Sequence, residues 1–205
     1  MKSILMILSC KKYAHKSQKQ KDTWLTNITM PWFHIIGNPD LETEFEEDRI
    51  NKIIYVKCKD TYEALPMKTF LGIKALHNLF PDIDYILKTD DDMDCNLENF
   101  NNILNLIPKY DYGGHIAYPR KFQINTHHYQ YVEDEFKIPY IMTDIPYCAG
   151  HFYFLSMRCI QKIVHSRQWF SRHIFEDCAV GTLLNSTIPD LRTIHINVKS
   201  IFTCP

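Results

Sequence analysis

A short apolar segment, Ile83-Asp84-Tyr85-Ile86-Leu87, runs directly into Lys88-Thr89-Asp90-Asp91-Asp92-Met93, and this junction restricts the fold more than any other stretch of the chain. The first part reads as a buried strand. Three adjacent carboxylates at its end raise one another's pKa and repel unless a cation lies among them, and a divalent ion with oxygen ligands is the usual answer. At the carboxyl end of a strand in an open α/β sheet, that ion would lie where ligands normally bind. The junction therefore points to an α/β sheet carrying a metal-assisted site for an anionic, phosphate-bearing ligand.

A chain of 205 residues with 45% hydrophobic content is long enough to bury one substantial core, and residues 1–205 are expected to form a single domain. The formal charge of −1 and the absence of a long Lys/Arg block argue against a nucleic-acid binder that works through the phosphate backbone, and leave room for local basic patches. Seven cysteines without a CxxC pair read mainly as buried thiols. The opening Met1 to Cys10 has the look of a signal sequence, but its apolar stretch is short and meets Lys11-Lys12-Tyr13 at once, so a first core strand is expected. No window reaches the roughly 18 apolar residues that a membrane span needs. A cytoplasmic protein with no signal peptide or membrane anchor is the expectation, under which the sequons at Asn27 and Asn185 carry little weight.

Strand-like and helix-like segments alternate along the chain, which favours a mainly parallel sheet covered by helices. After the first strand, Ser17 to Leu25 reads as a helix, Trp32 to Ile36 and Ile53 to Val56 as strands, and the acidic stretch Asn38 to Asp48 as a solvated loop or short helix. Apolar residues from Leu65 to Phe80 recur at helical spacing, with Pro66 tolerated in the first turn and Pro81 as the stop. Leu97 to Ile107 is expected as an amphipathic helix capped by Asn96. Tyr110 to Tyr118 reads as a strand in which Gly113-Gly114 marks a bulge or a close backbone approach. The pattern weakens from Pro119 to Pro146, which suggests a substrate-facing insertion. Tyr147 to Leu155 is a strand, Ser156 caps the next helix, Phe175-Glu176-Asp177 opens another, and Thr193 to Val198 is the final strand.

Taken alone, the Asp triplet is open to three readings: an acidic surface loop, a phosphoryl-transfer site with an aspartyl nucleophile, or a metal site for a nucleoside diphosphate. The second usually has Thr where Asp94 stands.

Longer stretches narrow the choice. From Ile4 to Ser9 through Asp22-Thr23-Trp24, Asp60 to Thr69 and Tyr85 to Asp92, the chain resembles the β-1,3-galactosyltransferase and Fringe-like glycosyltransferases of family 31. The resemblance continues through Tyr118-Pro119-Arg120-Lys121, Ile145 to Ser156, and Phe175 to Gly181, in the family's order and over nearly the whole chain. It implies an α/β GT-A fold, Rossmann-like, with a mixed central sheet flanked by helices. It also implies a UDP-sugar donor, Mn²⁺ or Mg²⁺ at a DXD-type motif, an acceptor hydroxyl on a glycan or glycosylated molecule, and inversion at the anomeric carbon.

By that resemblance Asp92 is the first choice as metal ligand. Asp90 faces the ribose or base side and also stands as a candidate ligand, and Asp91 is auxiliary. Asp177 matches the position of the general base, which must take the acceptor proton as the oxygen attacks. The macrodipole at a helix N-terminus favours its carboxylate form, while its neighbour Glu176 raises its pKa by repulsion. Gly150, in a small-residue turn, would admit close backbone approach to the ligands, and His151 stands where relatives commonly have another Gly. His195 is the candidate for a histidine that completes the metal shell in relatives; a buried strand histidine is the alternative. Lys11 lies where a donor nucleotide would approach. His127 and His128, beside Tyr129 and Tyr131, either line an acceptor groove or sit in an exposed loop. The rival readings are a non-catalytic glycan- or nucleotide-binding module on the same scaffold, and a Mg-dependent phosphatase.

Overall fold

The computed structural model describes residues 1–204. Its centre is an eight-stranded sheet. The strands are β1 (Ser3–Leu8), β2 (Trp32–Gly37), β3 (Phe45–Asp48), β4 (Ile53–Val56), β5 (Tyr85–Asp90), β7 (Tyr112–Ala117), β10 (Tyr147–Ser156) and β11 (Thr193–His195). They lie side by side in the order β11-β7-β10-β5-β1-β2-β4-β3. β1, β2, β4 and β5 run parallel, as do β7 and β11, whereas β10 is antiparallel to both its neighbours and β3 is antiparallel to β4. The sheet is therefore mixed. Two small ladders complete the strands: β6 (Asp94–Cys95) with β12 (Phe202–Thr203), and β8 (Ile124–Asn125) with β9 (Tyr140–Ile141).

Six helices flank the sheet: α1 (Ala14–Asp22), α2 (Leu65–Leu79), α3 (Leu97–Leu104), α4 (Met157–Val164), α5 (Arg167–Phe170) and α6 (Glu176–Thr187). Successive strand side chains point to opposite faces, and β1 obeys this strictly. Ile4, Met6 and Leu8 join one apolar cluster with Phe70 and Ile73 of α2, Ile160 of α4 and Val180 of α6. Leu5 and Ile7 join another on the far face with Trp24, Phe100 of α3 and Phe202. Burying both faces makes β1 continuously apolar, as central parallel strands are. None of the described helices is long and apolar enough to cross a membrane.

The chain lays β2 and β4 on one side of β1 and then returns to place β5 on the other. The carboxyl ends of β1 and β5 thus diverge at a switch in strand order, the place where an open α/β sheet leaves a crevice for ligands. Asp90 is the last residue of β5, so the acidic run falls at that crevice.

Several expectations shift. The first helix begins three residues before Ser17 and ends at Asp22, and a 3-10 turn over Trp24–Asn27 replaces its expected last turn. The Asn38 to Asp48 stretch is not all loop, because Phe45–Asp48 pairs with β4 as an edge strand. The final strand stops at His195 and gives way to a 3-10 turn at Val198–Ser200. Ser156 does precede α4, but its hydroxyl donates to Asp111 Oδ1 at 3.3 Å rather than capping the helix. Of the free cysteines, Cys148, Cys159 and Cys178 are buried, Cys10, Cys58 and Cys95 partly so, and Cys204 is exposed.

Gly113 and Gly114 answer to close approach. A Cβ on Gly113 would lie 2.5 Å from Ile194 and Phe154 side-chain atoms, and one on Gly114 2.6 Å from the Phe152 carbonyl oxygen. The bulge lies opposite them, on β10. Cys148 pairs with Ile116 and Tyr153 with Gly114, so five steps along β10 match two along β7 and three residues are extruded between.

Candidate active site

Lys88 and Asp90 are two residues apart on β5 and leave the sheet on the same face, toward α6. Lys88 is 1% exposed, and its ammonium lies 2.7 Å from Asp90 Oδ1 and 3.3 Å from Glu176 Oε2. It also donates to the carbonyl of Gly150, in the extruded part of β10, at 2.5 Å. The Tyr153 hydroxyl donates to the other Glu176 oxygen. One buried cation therefore joins the tip of β5, the β10 bulge and the first turn of α6. Burial opposes the Lys88 charge, but the Asp90 and Glu176 carboxylates prevail and hold its pKa well above the usual lysine value. Burial pushes Glu176 up to about 7, against the pull of Lys88 and with the repulsion of Asp177 and Asp90.

Asp177 sits beside this pair. Its Oδ2 accepts the Gly150 N–H at 3.2 Å and its Oδ1 the Cys178 N–H at 2.8 Å. Burial raises its pKa, while those two N–H groups and Lys88 act in the other direction. A Cβ built on Gly150 would point into the cluster, 3.4 Å from Glu176 Oε2, 3.5 Å from Lys88 Nζ and 3.8 Å from Asp177 Oδ2. Its absence leaves room above three charged groups, whereas the protein's own packing would tolerate it. His151 follows with an exposed side chain, and its carbonyl accepts the Thr89 hydroxyl at 2.8 Å.

The three aspartates separate by environment. Asp91 is buried and turns toward β1, where Ser9 Oγ donates to its Oδ2 at 2.7 Å. Burial lifts its pKa to about 6, with Asp92 and Asp90 adding and the Ser9 hydrogen bond opposing. It serves to tie the two strand ends together. Asp92 is 40% exposed and faces the Lys16 ammonium at 3.4 Å. Asp90 and Asp92 are thus the two carboxylates of the run that remain open to the crevice.

Among the described residues no three His, Cys, Asp or Glu side chains converge into a metal-holding group. The hard oxygens of Asp90 and Asp92 nevertheless fit an ion of the Mg²⁺ or Mn²⁺ type, which commonly takes one or two carboxylates and completes its shell with phosphate and water oxygens. The structure does not bring His195 to them. The register sets Lys88, Tyr153, Gly114 and His195 in one row across β5, β10, β7 and β11. Three strand spacings put His195 on the order of 14 Å from Lys88. His195 is exposed, and its Nδ1 accepts the Ile116 N–H at 3.3 Å, so it is not a buried strand histidine either.

Lys11 meets the site through its backbone: its N–H donates to Asp60 Oδ2 at 2.7 Å, and its side chain is exposed. Asp60 is held in turn by buried Lys68 at 2.6 Å, which also donates to the Ser9 carbonyl at 2.8 Å. His128 is not in an exposed loop. It is fully buried, with its ring edge-on to Tyr129 and Phe175. Tyr131 stacks on Tyr62 with ring centroids 4.9 Å apart. Burial raises the Tyr62 pKa, and the negative charges of Asp177, Glu176 and Asp90 add to it. Lys88, Tyr153, Ser9 and Tyr62 were not singled out from sequence. For Lys88 the signal was available in the period-2 alternation, which puts it on the face of Asp90.

A cavity of about 630 Å³ lies at the other end of the sheet, lined by Lys2, Thr29, Pro31, Phe80 and Ile83, and contains none of these residues.

The family model described as Galactosyltransferase matches residues 15–193. The chain belongs to the galactosyltransferase family. UDP-GalNAc:beta-1,3-N-acetylgalactosaminyltransferase 1 of Rattus norvegicus is 30% identical to this galactosyltransferase-family chain over 192 residues, covering 86% of the chain and 55% of the relative. Beta-1,3-galactosyltransferase 5 of Mus musculus is 24% identical over 212 residues, covering 97% and 67%. The chain spans about half the length of the N-acetylgalactosaminyltransferases it matches.

Among solved structures, a glycosyltransferase involved in glycosylation of the major capsid of PBCV-1 superposes with a TM-score of 0.53 at 16% identity, covering 95% of this chain and 82% of the other. The 4-diphosphocytidyl-2C-methyl-D-erythritol synthase of Anaerococcus prevotii gives 0.53 at 15% identity, covering 95% and 86%. Both likenesses concern the fold, which is a mixed α/β sheet flanked by helices of the GT-A kind.

Proposed function

We propose that this galactosyltransferase-family chain moves a hexose or N-acetylhexosamine from a UDP-sugar to a glycan hydroxyl, with inversion and with the help of a divalent ion. One observation carries the reading. The buried Lys88 ammonium ties Asp90, on the donor side, to Glu176 at the start of the helix that bears Asp177. The names of the relatives, which include UDP-GalNAc and galactosyl transfer, support the donor class.

In this reading the donor diphosphate lies over the crevice between the ends of β1 and β5, and Asp90 and Asp92 hold the ion. When bound, that ion offsets the charge that gathers on the departing diphosphate. Asp177 is the general base. Glu176 is buried with its oxygens held by Lys88 and Tyr153, whereas Asp177 is only half-buried and its oxygens accept the Gly150 and Cys178 N–H groups. A carboxylate oxygen carries more than one acceptor site, so the half-buried Asp177 can still take the acceptor hydroxyl proton. As the acceptor oxygen bonds to the anomeric carbon, the bond from that carbon to the phosphate oxygen breaks. Its electron pair leaves with UDP, and the proton passes to Asp177.

Incubation with a panel of UDP-sugars and glycan acceptors, with Mn²⁺ or Mg²⁺, tests the reading. Sugar-selective, metal-dependent release of UDP with an inverted product is expected. Binding of UDP-sugars without turnover on any acceptor or water, or the absence of binding, would overturn it.

A further inference from the structure

The acidic turn poses a physical problem that its own residues do not solve. Three consecutive carboxylates repel one another, and the strand that carries them ends at Asp90, leaving backbone carbonyls without ladder partners. Two of these, at Asp90 and Met93, open and close the turn. Both are taken by one side chain of α1: Gln20 Nε2 donates to the Asp90 carbonyl at 3.0 Å and to the Met93 carbonyl at 3.0 Å. Trp24 Nε1 adds a second donor to the Met93 carbonyl at 3.1 Å.

Gln20 is 1% exposed, and its amide orientation is set from the other side. With both amide hydrogens spent on carbonyls, Oε1 can only accept, and it faces His34 Nε2 at 3.1 Å. His34 must therefore carry its proton on Nε2. Its Nδ1 is then a buried acceptor with no partner. His34 is fully buried on β2, edge-on to Trp32 at 5.6 Å between ring centroids. An apolar pair would fill this space between the sheet and α1 without leaving an orphaned nitrogen, so packing alone does not account for it. The same helix aligns Lys16 with Asp92 and Lys19 with Asp94, and residues at this spacing share one helix face.

We propose that Gln20 and His34 are positioning residues: a buried relay from β2 through α1 that fixes the backbone of the acidic turn, and so the angle at which Asp90 and Asp92 meet a metal-bound nucleoside diphosphate. The inference rests on the function proposed above. Neither side chain touches the ligand. Outer partners that orient metal-binding groups commonly account for about 10- to 100-fold in affinity.

The test measures UDP binding with and without Mn²⁺ by calorimetry, together with thermal unfolding and amide hydrogen exchange at residues 91–93. Gln20→Met is expected to weaken Mn²⁺-dependent UDP binding about 10-fold or more, with binding in the absence of metal unchanged and exchange across the turn accelerated. His34→Leu is expected to move both quantities the same way, and His34→Gln, which keeps a donor toward Gln20, to restore them. The Gln20→Met/His34→Leu double variant should be no worse than Gln20→Met, because the two act in series. Unfolding of Gln20→Met would leave the His34 pair to decide: equal Mn²⁺-UDP affinity and equal turn exchange in His34→Leu and wild type would overturn the inference. Wild-type protein that binds no UDP with Mn²⁺ would instead overturn the proposed function, and unchanged exchange in the variants would then overturn the inference as well.

Discussion

Buried Lys88 pairs along a single strand with half-exposed Asp90, with 2.7 Å between Nζ and Oδ1. The same ammonium serves Glu176 and the Gly150 carbonyl, so its removal strands two carboxylates and a carbonyl at once. Because Glu176 is the buried partner left without its cation, Lys88→Met is expected to lower stability by about 3–5 kcal/mol, the range for breaking a buried pair by deleting one partner. Urea unfolding at pH 7 measures it, and a loss below about 1 kcal/mol would mean that water replaces the ammonium without cost.

Asp92 is the half-open carboxylate of the turn, and Asp91 is its buried anchor. Asp92→Ala should abolish the Mn²⁺-dependent part of UDP binding while leaving the melting temperature nearly unchanged. Asp91→Ala should do the reverse first, lowering the melting temperature because Ser9 loses its acceptor. Calorimetry and thermal unfolding on the two variants separate these roles, and unchanged metal-dependent affinity in Asp92→Ala would remove that residue from the ion's shell.

For Asp177, replacement by Asn preserves shape and removes the basic oxygen. Donor affinity is expected to remain, and transfer to fall by about 10²-fold or more. Burial raises the Asp177 pKa, and only its ionised form accepts a proton. The acid limb of the wild-type rate profile should therefore lie above the ordinary aspartate value of 3.8 and vanish in the variant. Near-normal transfer by Asp177→Asn would assign the base elsewhere.

His34 gives stability a pH dependence of known sign. Burial, with the Lys21 charge, depresses its folded pKa from 6.5 to about 3. Between these values the unfolded chain takes up a proton that the folded chain does not, so stability falls as pH falls. The slope is at most about 1.4 kcal/mol per pH unit. Glu176 and Asp91, with folded values raised to about 7 and about 6, act in the opposite direction, but they are common to wild type and His34→Gln and cancel in the comparison. Relative to that variant, wild type should lose about 2–3 kcal/mol between pH 7 and pH 4.5. Parallel stability curves would show that His34 is protonated in the fold.

How far the molecule could be read from its residues depended on whether local chemistry or distant partners decided each feature. The β5 strand and its acidic end were legible because an apolar run that breaks into three aspartates has few other readings. The N-cap at Asn96 was legible for a similar reason, and its side chain does accept the Asn99 N–H. β3 was missed because Phe45–Asp48 is acidic and pairs on one side only. The start of α1 was missed because its sequence is polar throughout and its place is set by Gln20 and Lys16 against the acidic turn. Lys88 escaped notice because a lysine next to aspartates reads as solvated until Tyr153 and Glu176 close over it. His195 stands as a candidate through the family resemblance, and only the strand order sets it three strands from Lys88.

The three residues that β10 extrudes between Cys148 and Tyr153 separate two obligations. Hydrogen bonding to β7 resumes on both sides of them, and their backbone holds Lys88, Asp177 and Thr89, while the missing Gly150 side chain leaves space over Lys88, Glu176 and Asp177 and the His151 side chain is exposed. Substitutions at Gly150 and His151 would therefore change the surface above these charges while the hydrophobic layers beneath stay as they are.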